Sequence, residues 1–61
     1  MITTNKNVGD AVSFRLDGNW YGTGNIVTIS SDKSRLIVKL DEPCKEFEIG
    51  DQIVVDASEL V

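Results

Sequence analysis

A chain of 61 residues holds a single small domain, near the size at which one hydrophobic core only just offsets conformational entropy, and this excludes a large internal cavity. Ten acidic against six basic residues give a net charge of −4, which disfavours a nucleic-acid backbone as partner; one cysteine excludes an internal disulfide. No apolar run approaches the roughly 20 residues that cross a bilayer, so the expectation is a non-membrane protein of the reducing cytoplasm.

The polar stretch Met1 to Asn7 is expected to be a disordered lead, with one domain over 8–61. Val8-Gly9-Asp10 then introduces a tight turn, and the same phrase returns as Ile49-Gly50-Asp51; each precedes an alternating apolar run. The first run, Val12, Phe14 and Leu16 against Ser13 and Arg15, predicts a strand with one buried face. Asp17-Gly18 predicts a hairpin turn. With Gly22 and Gly24 close behind, Asn19 to Gly24 reads as a bent loop carrying Trp20 and Tyr21.

A β-branched stretch, Asn25 to Ser30, predicts the second strand, and Ser31 to Ser34 the connection to a third over Arg35 to Leu40. In that third strand Leu36, Val38 and Leu40 share one face and Arg35, Ile37 and Lys39 the other. Pro43 marks a break, after which Lys45 to Ile49 reads as a fourth strand with Phe47 and Ile49 inward. The fifth runs through Ile53 and Val55, and Asp56 to Leu60 predicts a short terminal helical turn. The fold class is all-β, five short strands in a strongly bent sheet closed into a small barrel.

Gly9-Asp10-x-Val12, Gly18, Gly22-x-Gly24-x-Ile26, Leu36 to Leu40 and the closing Val54-Val55-x-x-x-Glu59-Leu60 resemble the SH3-like barrel superfamily over residues 8 to 61. Within it the chain is similar to three lineages. Resemblance to KOW modules implies nucleic-acid binding, here through Arg15, Lys33, Arg35 and Lys39. Resemblance to the type II dihydrofolate reductases, in Gly9-Asp10-x-Val12 and Trp20-x-Gly22, implies an oligomeric enzyme with its site on a symmetry axis. Resemblance to the SH3-like subunits of photosynthetic complexes, in Trp20-Tyr21 and Glu59-Leu60, implies docking of a protein partner.

Read from the residues themselves, catalysis starts without histidine, the commonest general acid or base near neutral pH. Cys44 has Lys45 beside it but no histidine to activate it, and reads as a small residue at a strand entrance. Asp41, Glu42, Glu46, Glu48 and Asp51 read as a solvated acidic face, since no loop spaces them as ligands of a hard cation. The glycines of Gly18-x-x-x-Gly22-x-Gly24 precede a strand and lack the helix N-terminus of a phosphate cradle. No metal, cofactor or catalytic group is expected.

What remains is contact surface. Trp20 and Tyr21 carry large amphipathic rings suited to a protein interface, Trp20 having the alternative of turning inward to complete the core. Ile37 falls on the outward face with Val54 and one of Ile26 or Val27, an apolar set of the kind that marks a partner or self-association surface. The expected function is a non-enzymatic module mediating protein–protein interaction or homo-oligomer formation through Trp20, Tyr21, Ile37 and Val54.

Overall fold

In the computed structural model, which describes residues 2–61, the first alternating run becomes β1 (Ala11–Leu16), with Val12 and Phe14 buried and Ala11, Ser13 and Arg15 exposed. Asp17 and Gly18 both take positive φ, 52° and 75°, as the twist-matched hairpin turn requires, and Asn19 N–H donates to the Leu16 carbonyl at 3.1 Å. The chain then returns as β2 (Trp20–Ile29), a ten-residue strand paired with β1 from Leu16 opposite Trp20 to Ala11 opposite Asn25. The expected loop over 19–24 is therefore the first half of a strand.

Two glycines permit it. A Cβ on Gly22 would lie 2.8 Å from two ring carbons of Phe14 and 2.9 Å from Cys44 Sγ. One on Gly24 would fall on the Lys39 carbonyl and 2.7 Å from Val38 Cγ1. Neither glycine has positive φ, so they serve close packing rather than bending.

β2 pairs with β3 (Arg35–Leu40) through a register shift between Ile26 and Thr28, where Val27 is the extra residue of a bulge. Asp32 organises the connection. Its Oδ1 accepts from Ser30 Oγ at 2.7 Å, Ser34 Oγ at 2.7 Å and Ser34 N–H at 3.0 Å, and these donors hold its carboxyl down at about 2. Lys33, at φ 62°, completes the turn.

Residues 45 to 49 do not form the expected strand. Cys44 and Phe47 exchange backbone hydrogen bonds of 3.1 and 2.9 Å around Lys45, whose φ is 56°, so the segment folds on itself as a tight turn. The reason is that β3 has no edge to offer: Gly50 N–H donates to the Leu40 carbonyl and Leu40 N–H to the Asp51 carbonyl, both at 2.9 Å, and these begin the ladder of β4 (Gln52–Asp56). Phe47 still packs half-buried against the core, but Ile49, expected inward, is 65% exposed. The sheet thus has four antiparallel strands in the order β1-β2-β3-β4.

After β4 a 3₁₀ turn (Ala57–Glu59) stands where the helical turn is expected; the Glu59 carboxylate accepts the Asp56 N–H at 3.0 Å. Leu60 then forms a bridge with Phe14, and Val61 N–H donates to the Ser13 carbonyl at 2.9 Å. The chain's last residues thereby cover the outer edge of β1. Phe14, Leu36, Val38 and Val55 are fully buried at the centre, with Val12, Ile26, Leu40, Cys44 and Ile53 around them.

The Gly-Asp phrase is one geometry built twice. In 7–10 and in 48–51 the Asp N–H bonds the carbonyl three residues back, at 3.0 and 3.1 Å, and the Asp Oδ2 accepts that residue's N–H, at 2.9 and 3.0 Å. Gly9 and Gly50 hold φ of 92° and 90°, and each donates to the neighbouring strand. Residues 2–7 carry no regular secondary structure, yet Thr4 is buried and its N–H donates to the Lys33 carbonyl at 2.9 Å, so the lead is tied to the β2–β3 connection there. No helix among the described residues is long and apolar enough to cross a membrane.

Candidate functional site

Because β-strand side chains alternate, residues 11, 13 and 15 of β1, 35, 37 and 39 of β3, and 52, 54 and 56 of β4 share the outer face of the sheet. Its rows follow from the register. Lys39 lies between Asn25 and Gln52, Ile37 between Thr28 and Val54, and Arg35 beside Asp56. Ile37 and Val54 are thus directly opposed, and Val54 is 62% exposed. The bulge extends this apolar row. Ile26 and Ile29 are inward positions three residues apart, so Val27 and Thr28 both turn out beside Ile37. Of the two candidates left open by the sequence, Ile26 or Val27, the outward one is Val27.

The row is bounded by charge. Arg35 Nε stands 3.6 Å from Asp56 Oδ1 with both side chains exposed, an ion pair that contributes little stability but neutralises the border. Ile37, Val54, Thr28 and Arg35 line a shallow depression together with Ile29, Ser30 and Leu36.

Trp20 and Tyr21 do not join this row or each other. As consecutive residues of β2 they project to opposite faces: Tyr21 is opposite Arg15 on the outer face, whereas Trp20 is opposite Leu16 at the rim of the inner one. Trp20 is 48% exposed and Tyr21 66%. Arg15 Cζ stands 5.9 Å from the Tyr21 ring centroid, within cation–π range, and the pair borders a second depression formed with Asp17, Gly18 and Ser58 to Val61. Trp20 and Tyr21, expected side by side on a bent loop, therefore belong to two separate surfaces.

The basic set is equally dispersed. Arg15 is at the β1–β2 end, Lys33 at the tip of the β2–β3 connection, Arg35 is paired with Asp56, and Lys39 lies mid-sheet between two amides. No two of them stand opposite each other in the ladders. Lys45, which the sequence did not single out, bonds Asp17, and that carboxylate holds its ammonium above the usual lysine value by hydrogen bond and charge.

Cys44 is buried and its thiol donates to the Tyr21 carbonyl at 3.4 Å. Among the described residues no three histidine, cysteine or acidic side chains gather as a metal site would need. Thr28 was missed by sequence reasoning, although four β-branched residues in succession, Ile26 to Ile29, signal a stretch where strict alternation fails. Comparison with known proteins finds no significant match among family models, curated proteins or solved structures.

Proposed function

We propose that the chain is a small non-enzymatic binding module, an SH3-like barrel, that docks a protein through the outer row of Val27, Thr28, Ile37 and Val54. The barrel reading is supported by the meander of β1 to β4, the 3₁₀ turn, and the return of Leu60 and Val61 to β1. One observation carries the binding role: Ile37 and Val54 are cross-strand neighbours at the centre of an outward face whose other β3 and β4 positions are Arg35, Lys39, Gln52 and Asp56. An apolar row placed there gains nothing for the core, and its burial against a partner is favourable by roughly 25 cal/mol per Å². Tyr21 with Arg15 lies on the same outer face and extends the contact surface toward β1, while Trp20 contributes to the inner rim.

The test is capture from the soluble proteome of the source cells by immobilised wild type and by Ile37→Lys. A partner retained by the wild type and lost with the lysine variant, at unchanged melting temperature, is the expected result. Identical capture by both would overturn the role of this row.

A further inference from the structure

β4 presents an unpaired edge, and we infer that it pairs with β4 of a second copy of this chain, antiparallel about a two-fold axis through Val54. The phase of the β3–β4 ladder sets which groups are free. Ala57 N–H donates to the Ser34 carbonyl at 2.8 Å, and Ala57–Ser34 continues the register that opposes Val55 to Leu36 and Ile53 to Val38. Hydrogen-bonding residues of an antiparallel ladder alternate, so Ile53, Val55 and Ala57 bond β3 while Gln52, Val54 and Asp56 turn their N–H and C=O groups away from it. Among the described residues no other segment bonds the backbone of Gln52 or Val54. Asp56 N–H alone is taken, by the Glu59 carboxylate.

The two sheet edges are treated differently. That of β1 is covered by Leu60 and Val61, whereas β4 has no such cover among the described residues. Nor does Gln52-Ile53-Val54-Val55-Asp56 contain the lysine, proline or bulge by which exposed edges are protected from pairing. A groove that takes in Gln52, Ile53 and Val54 of this strand is also lined by Leu16, Asp17, Lys45 and Phe47.

A second copy fits this edge by its chemistry. With the axis through Val54, the free N–H and C=O of each Val54 meet those of the other, Gln52 stands opposite Asp56 of the second copy, and Ile53 opposite its Val55. No acid faces an acid, although the chain as a whole carries a charge of −4. The Gln52 carboxamide donates to the opposing carboxylate. On the outer face the row of Val27, Thr28, Ile37 and Val54 becomes continuous with its symmetry mate, so Val54, the most exposed of its apolar members, lies at the centre of the shared strip. This pairing rests on the reading of Val54 as contact surface and specifies the partner as a second copy, joined through the edge of the strand.

Sedimentation equilibrium over a concentration series up to about 1 mM tests it. The wild type is expected to form a dimer. Val54→Pro removes the outward N–H while leaving the β3 ladder intact; losing both Val54 bonds, each counting roughly fivefold, raises the dissociation constant about thirtyfold. Val54→Lys, which retains the N–H but sets two ammonium groups face to face, is expected to give a monomer with the wild-type circular dichroism spectrum. It serves where the proline variant fails to fold. A wild type that stays monomeric throughout the series overturns the pairing, as does a Val54→Pro dimer of wild-type affinity. Dissociation by Ile37→Lys with full tolerance of Val54→Pro also overturns it, in that case leaving the outer row as the contact surface.

Discussion

Replacing Gly22 by alanine puts a methyl group into space already held by the Phe14 ring and the Cys44 sulfur. The new carbon would lie 2.8 Å from Phe14 Cε2 and Cζ and 2.9 Å from Sγ, against about 3.5–4.0 Å for ordinary carbon contacts, so ring and thiol must each retreat by roughly 1 Å. Phe14 is fully buried and has no open side to retreat to. Overpacking of this kind costs about 1–3 kcal/mol, offset by roughly 0.5–1 kcal/mol from replacing a strand glycine. Taking the middle of each range, a net loss of about 1 kcal/mol is a sizeable share of the roughly 3–9 kcal/mol expected for a domain of 61 residues, and lowers the melting temperature by about 4–8 °C. Phe14→Leu removes the obstructing ring, leaving a cavity that the methyl group introduced by Gly22→Ala partly fills. Urea unfolding of the two single variants and the double variant, followed by circular dichroism, closes a double-mutant cycle. The double variant should be more stable than the sum of the singles by about 1 kcal/mol or more; additivity within about 0.5 kcal/mol would refute the close approach of Phe14 to the β2 backbone.

Two further outcomes test other parts of the fold. The Asp32 carboxyl is held at about 2 by Ser30 and Ser34, below its unfolded value of 3.8, so its contribution to stability is present above about pH 4 and is lost as pH falls through 2. Carbon-detected titration of that carboxyl should give a midpoint near 2, and a midpoint near 3.8 would show that the serine donors are not engaged. Removing Leu60 and Val61 strips the half-buried Leu60 from Phe14 and leaves the Ser13 carbonyl without its donor, a combined loss of about 2–3 kcal/mol. Thermal unfolding measures it; an unchanged melting temperature would mean that the edge of β1 is held by other contacts.

How far the sequence discloses this molecule depends on whether the deciding neighbour is local. The inward faces of β1, β3 and β4 are written in period-two alternation, and Asp17-Gly18 sets its own turn, so these are readable one segment at a time. Gly22 and Gly24 are not, because what forbids a side chain there is Phe14, Cys44 and the Lys39 carbonyl, none of them adjacent in sequence. Residues 45–49 have the pattern of a strand and lack only a partner, since Gly50 and Asp51 already bond Leu40. The same limits apply to the contact surface. Ile37 and Val54 follow from alternation, whereas the separation of Trp20 from Tyr21 follows only once both are known to lie in a strand.

The bridge between Phe14 and Leu60 also sets a timetable for synthesis. Residue 60 leaves the peptidyl-transferase centre 46 residues after residue 14, which at roughly 5–20 residues per second is about 2–9 s. Hairpin pairing takes about 1–10 μs, so β1 and β2 have abundant time to meet on the nascent chain. Throughout that interval the outer side of β1 stays uncovered. On a polysome, where neighbouring nascent chains carry the same open strand, each copy can mispair from the emergence of β1 until Leu60 and Val61 dock.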